Sequence, residues 1–381
     1  MTIDLTSLGL RIRRLSHRDE EPLPVINPGE PLIGLTERGK GVYWPTPRLD
    51  QAGHILMLGS SGCGKTVTIA GALAAELNTD NTANPLGLFI CDPKGDLCKV
   101  FLDNLAWSNP RRLNDVYYLD PFSESGFPFN LNHLSKNNTP LDIRAQQISG
   151  IAALLSTTQG MQRHLGVGAR QVETLSHLIL GALSTEHPSA NILWALDALV
   201  HRDGMKQLAQ ITNSERAKDF LLSAVLTPEL RSSCSSRLRS ALAMSENLER
   251  LVSAPNCIQW SELLSPGKIV LLDLGRPSGG VSSLRDFYAN LICRLAIEFL
   301  LSRPSPWTGH PIRIVIDEVQ IVAPALSDVA EDLLTTGRSR GISLIAASQG
   351  TTLIHQASPS LFSVFMTNAR TKFIGRLAAP D

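Results

Sequence analysis

The stretch GSSGCGKT at residues 59–66 decides the fold, because it places three glycines within six residues between two regular segments. Glycine costs backbone entropy in regular structure, so three together indicate a chain path that larger side chains would block. The preceding residues HILMLG (54–59) form a short apolar run that is typical of a buried parallel strand. The following residues KTVTIAGALAAEL (65–77) carry alanine and leucine at helical spacing. The sequence therefore predicts a strand, a glycine loop and a helix, in that order.

This order is the context in which the pattern GxxxxGKT acts as a phosphate-binding loop, the Walker A motif. The glycines let backbone N–H groups turn inward onto phosphate oxygens, and the helix N-terminus adds the positive end of its dipole. Lys65 is predicted to reach the β- and γ-phosphates of ATP, and Thr66 to ligate Mg²⁺. A chance match is the alternative, and the strand and helix on either side argue against it. The predicted nucleotide-binding residues are Gly59, Ser60, Ser61, Gly62, Cys63, Gly64, Lys65, Thr66 and Thr68.

A second stretch, IRIVIDEVQIV (312–322), supplies the carboxylates that hydrolysis of a bound nucleotide needs. It begins as an apolar strand and continues into Asp317 and Glu318. Asp317 at the strand tip is predicted to hold Mg²⁺ through water, and Glu318 to act as the general base for the attacking water. The alternative is a strand followed by a solvated acidic turn, which is common in α/β proteins. The Walker A motif in the same chain favours the catalytic interpretation.

The stretch GRSRGISLIAASQG (337–350) carries three further candidate residues around one more buried strand. Gln349 stands at the end of this strand, where its amide could sense the γ-phosphate or orient water. Arg338 and Arg340 precede the strand and so should lie at its opposite end. They could reach the phosphate of a neighbouring subunit as arginine fingers, and the alternative is a solvated loop. Within one subunit, Lys65 is then the positive group expected at the γ-phosphate.

The composition is that of a globular protein with no overall charge. The chain has 381 residues, of which 43% are hydrophobic, and its 35 basic and 35 acidic residues cancel. The chain has no overall basic excess that would indicate a nucleic-acid partner, although basic residues can be concentrated locally. No apolar run reaches the ~18 residues of a membrane span, and the six cysteines form no CxxC pair. We expect reduced thiols and a cytoplasmic protein.

The apolar runs predict an α/β fold with a largely parallel sheet, because helical segments separate them. The predicted strands are 54–59, 87–92, 115–120, 268–274, 312–317, 343–348 and 371–376. Between the third and fourth strands, residues 140–262 show helical periodicity and no convincing strand. The helical segments are DIRAQQISGIAALLS (142–156), ARQVETLSHLILGALS (169–184), ANILWALDALVHRD (190–203) and SSRLRSALAMSENLERLV (235–252).

This helical insertion also contains clustered arginines, which could contact DNA phosphates. Ordinary solvated helix surface is at least as good an interpretation of them. The residues concerned are Arg163, Arg170, Arg231, Arg237 and Arg239.

The ordered motifs resemble those of the FtsK–HerA superfamily of ring-forming, DNA-pumping ATPases. They are HILMLGSSGCGKT, GLFICDPKGDL, PGKIVLLDLG, IVIDEVQ, GRSRGISLIAASQ and TKFIGRL, and the resemblance covers about residues 45–377. Within the superfamily, the chain is most similar to the coupling ATPases of conjugation and type IV secretion, and to HerA. Family members usually continue beyond the strand that corresponds to TKFIGRL. The resemblance therefore leaves open whether this chain assembles into a ring by itself.

The resemblance implies a RecA-like P-loop core with an inserted all-α domain. It divides the chain into a lead-in (1–44), a nucleotide-binding domain (45–139 and 263–381) and the all-α domain (140–262). It also implies a homo-hexamer that threads DNA or protein through a central pore, with a relaxase, nuclease or secretion channel as further partner. The catalytic roles of the family fall on Lys65, Thr66, Asp317, Glu318 and Gln349, and the trans role on Arg338 and Arg340.

Three functions are compatible with these observations. The first is an ATP-driven DNA translocase, and the second is a protein-secretion or assembly ATPase built on the same engine. The third is a nucleotide-gated binding module with little turnover. The complete set of Asp317, Glu318 and Gln349 argues against the third.

Overall fold

The computed structural model describes most of the predicted core and part of the helical insertion. The described residues are 32–35, 41–44, 53–78, 85–122, 169–185, 193–201, 203–223, 226–243, 260–275, 282–327 and 329–377. The predictions of a helix over 142–156 and of a role for Arg163 fall outside these ranges.

Seven parallel strands form the central sheet of the described chain, and they lie in the order β5–β6–β4–β7–β8–β3–β9. Their bounds are β3 Ile55–Leu58, β4 Gly87–Asp92, β5 Val116–Leu119, β6 Ile269–Asp273, β7 Ile312–Ile316, β8 Ile342–Ser348 and β9 Thr371–Ile374. A separate antiparallel pair consists of β1 (Leu32–Leu35) and β2 (Gly41–Tyr43). The predicted α/β class with a largely parallel sheet is confirmed.

Burial along the strands explains why their sequences read as unbroken apolar runs. Every residue of the five inner strands β6, β4, β7, β8 and β3 is buried, whereas the two edge strands β5 and β9 are partly exposed. A parallel sheet that is covered on both faces needs apolar side chains on both.

Two layers of helices cover the sheet. They comprise α1 Lys65–Asn78, α2 Asp96–Ser108, α8 Trp260–Leu263, α9 Ser282–Leu301, α10 Val319–Leu326, α11 Ala330–Thr335, α12 Thr351–Ala357 and α13 Pro359–Asn368. Successive strand residues face opposite layers. Ile55 and Met57 pack with residues of α1 and α2, while Leu56 and Leu58 pack with residues of α9 and α10.

The helix that the sequence predicts at about 326–336 is shorter than expected. Helix α10 ends at Leu326, and α11 begins only at Ala330. A short 3-10 helix, Gly337–Arg340, then leads into β8.

The described part of the insertion that precedes α8 contains five helices: α3 Ala169–Leu183, α4 Leu193–Val200, α5 Gly204–Ile211, α6 Glu215–Leu222 and α7 Pro228–Ala243. The ring of His177 on α3 stacks on Phe220 of α6 with 4.2 Å between centroids. A single antiparallel bridge joins Thr185 to Thr212. The division of the chain into two domains stays a prediction. Among the described helices, none combines the length and the apolarity that a membrane span requires.

Candidate nucleotide-binding site

The glycine loop begins between two strands of the sheet. The Gly59 N–H donates to the Ser348 carbonyl of β8 at 3.1 Å, and the Ser60 N–H donates to the Arg376 carbonyl beyond β9 at 2.7 Å. The loop is therefore fixed at the carboxyl edge of the sheet, which is the ligand-binding edge of open parallel sheets.

The backbone of the loop explains its glycines. Gly62 has φ 77° and Gly64 has φ 93°, which is the left-handed region that side chains disfavour. At Gly59 the requirement is space, because a Cβ there would collide with the Cys63 sulfur. Each of the three glycines thus allows a backbone conformation or a close contact that a larger residue would hinder.

Lys65 opens helix α1 and points back over the loop. Its Nζ donates to the Gly59 carbonyl at 2.5 Å and to the Ser60 carbonyl at 3.4 Å. Residues 61–64 are exposed, and the first turn of α1 holds no acidic residue. Thr66 and Thr68, in that same turn, are half-buried. An exposed loop, a lysine and a helix N-terminus without nearby acid together fit a phosphate anion.

Asp317 lies directly after β7, two strands from β3 across the sheet. Its side chain is buried, its N–H donates to the Cys91 carbonyl at 3.0 Å, and its carboxylate accepts from the Glu318 N–H at 3.1 Å. Burial, together with the neighbouring carboxylates of Asp92 and Glu318, raises the pKa of Asp317 to about 6. A carboxyl group in this setting fits a cation, which would favour its charged form.

Mg²⁺ would need ligands from both the loop and the strand tip. No group of three or more His, Cys, Asp or Glu side chains within the described ranges could hold a metal ion by itself. Magnesium is commonly bound by one or two carboxylates together with substrate phosphates. Asp317 and Thr66 therefore fit a magnesium ion that arrives with a nucleotide.

Glu318 is held in an unusual backbone conformation. Its φ of 53° and ψ of 56° lie in the left-handed region, and no other non-glycine residue of the described chain has a positive φ. Such conformations cost roughly 1–3 kcal/mol and concentrate at functional sites. The conformation turns the chain from β7 into α10 and leaves the Glu318 side chain at the carboxyl edge.

Three donors surround the Glu318 carboxylate. The Lys94 ammonium and the Gln349 amide both donate to Oε1, the latter at 2.9 Å, and the Gln320 amide donates to Oε2 at 2.6 Å. Burial alone would raise the pKa of Glu318, but the hydrogen bonds from Lys94, Gln349 and Gln320 outweigh it and hold the pKa below its ordinary value. The carboxylate is thus kept ionised, as a general base must be.

The sequence patterns do not reveal Lys94 or Gln320. Lys94 adds an ammonium group at Glu318 to the one that Lys65 supplies in the loop. The signal was present in DPKGDL, which follows β4, because β4 is the neighbour of β7. Asp92 shapes this turn by accepting the Lys94 N–H at 3.0 Å and the Cys98 N–H at 2.8 Å.

The two candidate arginine fingers lie away from this site. Arg338 and Arg340 belong to the 3-10 helix that precedes β8, so they stand at the amino edge of the sheet. The Arg340 guanidinium donates to the Arg303 carbonyl, and the Arg303 guanidinium stacks over Trp307 at 4.7 Å. The structure brings together Lys65, Asp317, Glu318 and Gln349 at the carboxyl edge and leaves the arginines at the opposite one.

Comparison with solved structures places this architecture among known folds. A bacterial conjugative coupling protein, TrwBdeltaN70 in its unbound monoclinic form, superposes with a TM-score of 0.52 at 17% identity, over 89% of this chain and 71% of that one. TrwB in complex with ADP and Mg²⁺ gives a TM-score of 0.54 at 17% identity, over 89% and 73%. VirB4 of Thermoanaerobacter pseudethanolicus gives 0.58 at 15% identity, over 93% and 86%.

The chain therefore shares the fold of the coupling protein TrwB and of VirB4. The resemblance seen in the ordered motifs is therefore confirmed at the level of the fold. Neither a scan against protein-family models nor a search of the curated proteins gives a match.

Proposed function

We propose that the chain is an ATP-hydrolysing motor of the FtsK–HerA type that translocates DNA as a ring. The observation that carries the proposal is the order of side chains along one sheet edge. Asp317 and Glu318 follow β7, Gln349 follows β8, and the Walker A loop follows β3, on three adjacent strands. Hydrolysis of a bound nucleoside triphosphate requires these groups side by side.

Each residue has a distinct task in this proposal. The loop N–H groups and Lys65 bind the phosphates, and Thr66 and Asp317 hold Mg²⁺, which when bound neutralises charge on the β- and γ-phosphates. Glu318 accepts the proton of the attacking water, and the Gln349 amide, which contacts Glu318 Oε1 at 2.9 Å, positions the carboxylate and the water.

DNA as substrate is supported by the fold shared with a conjugative coupling protein and by the helical insertion. A cavity of about 710 Å³ is lined by residues of α4 and α7, including Arg231 and Arg239. Arg239 is exposed, whereas Arg231 donates to the carbonyls of Leu199 at 3.3 Å and His201 at 3.1 Å. The exposed guanidinium group of Arg239, beside the serine hydroxyls that line the cavity, suits contact with a phosphate.

Protein translocation by the same engine is the second candidate. The equal numbers of basic and acidic residues, 35 of each, favour it, because DNA-binding proteins commonly carry a basic excess. In either case the proposal includes a homo-hexamer that works in the cytoplasm or at the periphery of a membrane machine. A relaxase or nuclease suits the first candidate as partner, and a secretion channel suits the second.

Phosphate release, measured without DNA, with single-stranded DNA and with double-stranded DNA, tests the proposal. A DNA motor should hydrolyse ATP several-fold faster with one of the two DNA forms, and Lys65→Ala should abolish both rates. Turnover that neither DNA form changes would favour the protein-translocating candidate. Nucleotide binding without turnover would contradict the motor function itself.

A further inference from the structure

The contact between Lys94 and Glu318 joins a partly exposed side chain to a buried one. The Lys94 side chain is 41% exposed, whereas that of Glu318 is 3% exposed. The lysine stands on the β4–α2 turn at the rim of the site, with solvent on its outer side. Its four-carbon stem lets the ammonium change partner, while the buried carboxylate has no comparable freedom.

The contact also takes one of the acceptor positions of the Glu318 carboxylate. An ionised carboxylate offers about four acceptor positions. Lys94 and Gln349 share Glu318 Oε1, and Gln320 takes a position on Oε2. A general base must present an acceptor to water within hydrogen-bond reach. Three of its positions are thus taken by donors of this chain.

The contacts of Glu318 Oε1 place the Lys94 ammonium beside the end of β8, because Gln349, which follows β8, donates to the same oxygen. β7 lies between β4 and β8, and β3 with its glycine loop follows β8. Neighbouring strands are about 4.8 Å apart, so a swing of the lysine away from Glu318 carries Nζ towards the space above β8 and β3. A nucleotide on the loop would place its terminal phosphate in this space.

We propose that Lys94 binds the terminal phosphate of a bound nucleoside triphosphate and thereby releases Glu318. The phosphate competes with Glu318 for the Lys94 ammonium, and the transfer of the lysine leaves Glu318 free to accept a hydrogen bond from water. A diphosphate lacks the terminal group, so it leaves the contact with Glu318 in place. Lys94 is in this account a positioning residue for Glu318, and the inference rests on the proposed function only in taking the ligand to be a nucleoside triphosphate.

A double-mutant cycle on binding tests this competition without relying on turnover. Four proteins are compared: the unmodified chain, Lys94→Met, Glu318→Gln and the double variant. Calorimetry gives the affinity of each for ADP and for a non-hydrolysable ATP analogue. Glu318→Gln releases the lysine and should tighten the analogue about tenfold, the effect of one charge-assisted hydrogen bond. ADP affinity should stay within about twofold in all four, which also shows that each protein is folded.

The decisive comparison is the Lys94→Met background. There, Glu318→Gln should no longer tighten the analogue, because no lysine is left to release. Lys94→Arg keeps a cation at the position and should preserve most of the tightening. Lys99→Met is the matched control, since Lys99 is exposed on α2 and its loss should leave both affinities unchanged.

Equal tightening in both backgrounds would overturn the role of Lys94, because it would show simple repulsion between Glu318 and the phosphate. A parallel loss of ADP and analogue affinity in Lys94→Met would overturn it too, by showing a general structural effect. Failure of the unmodified chain to bind either nucleotide would instead overturn the proposed function. The two failures are therefore distinguishable.

Discussion

Among single residues, Lys65 and Glu318 carry opposite charges and different tasks at the same sheet edge. Lys65 contacts the carbonyls of its own loop, where phosphate oxygens would replace them as partners. Glu318 contacts side chains from β4, β8 and its own turn. Loss of the lysine should therefore weaken binding, and loss of the carboxylate should spare it.

Lys65→Ala should weaken nucleotide affinity by about ten- to a hundredfold and lower turnover with it, because charge-assisted contacts to the phosphates are lost. Titration with a fluorescent ATP analogue and phosphate release on the same sample measure both effects. Lys99→Ala, which removes an exposed lysine of α2, should change neither. Unaltered affinity in Lys65→Ala would mean that the loop does not hold the phosphates.

His54 should make stability depend on pH. It is buried before β3, and its Nδ1 accepts the Leu344 N–H at 3.2 Å. Burial, followed by the charges of Arg338 and Arg313, lowers its pKa to about 4 from 6.5. The unfolded chain then binds a proton more readily than the folded one, so stability is full above pH 6.5 and falls as the pH drops towards 4.

Between pH 7 and pH 5, His54 should cost about 2 kcal/mol of unfolding free energy. Urea unfolding at the two pH values measures it, and His54→Gln, which keeps a hydrogen-bond acceptor, should remove that part of the slope. The same slope in His54→Gln as in the unmodified chain would show that other groups carry the pH dependence.

The site residues divided cleanly into those that the sequence could predict and those that it could not. Lys65, Asp317 and Gln349 each stand next to a recognisable apolar run, so local pattern was enough to find them. Lys94 lies 224 positions from Glu318, and only the pairing of β4 with β7 brings them together. Sequence separation of this kind hides a contact unless the strand order is known.

For the elements, a buried ion pair ties the helix of the Walker A motif to the strand of the carboxylates. Arg313 of β7 donates to Glu76 of α1 at 2.7 Å, and their side chains are 0% and 2% exposed. Removing one partner of such a pair leaves a buried charge without its counter-ion. The pair therefore fixes the position of α1 relative to β7.

Glu76→Leu should lower the unfolding free energy by about 3–5 kcal/mol, because it removes the Glu76 counter-charge from the buried Arg313 guanidinium. The double variant Glu76→Leu/Arg313→Met should regain most of this loss, since apolar side chains then fill the space. Urea unfolding of the three proteins measures both values. A double variant as unstable as the single one would show that the loss comes from packing rather than from charge.

The sequence predicted each strand of the sheet to within about two residues, since full burial makes a parallel strand an unbroken apolar run. The order of the strands in the sheet could not be predicted from the sequence, because β3 pairs with β8 and β9, which lie hundreds of residues later in the chain. The predicted helix over 326–336 also failed at its start, as α10 and α11 are separate helices. Apolar periodicity continues across the break, so pattern alone does not reveal it.

At the scale of the whole molecule, the amino edge of the sheet carries positive charges that lie away from the nucleotide-binding site of the same subunit. Arg338 and Arg340 precede β8 there, and Arg370 is exposed just before β9. The phosphates would bind at the other edge. A neighbouring subunit in a ring could place these arginines against a nucleotide, as trans-acting fingers do.

If the site is shared in this way, activity should rise steeply with protein concentration. Arg338→Ala subunits keep the Walker A loop, and Lys65→Ala subunits keep the arginines. Mixing the two inactive variants should restore part of the hydrolysis, because each supplies the residue that the other lacks. An arginine finger raises the rate of hydrolysis roughly a thousandfold. Phosphate release and light scattering on the same mixtures measure activity and assembly. Assembled mixtures without rescue, or full activity in a monomer, would argue against a shared site.

ATP hydrolysis by Glu318→Gln, with nucleotide binding measured on the same sample, tests the role of Glu318 as general base most directly. The variant should bind ATP at least as tightly as the unmodified chain and retain it, while phosphate release falls by about a hundredfold or more, because only the base is lost. Hydrolysis at the unmodified rate would contradict the assignment of Glu318, and with it the catalytic arrangement at this edge of the sheet.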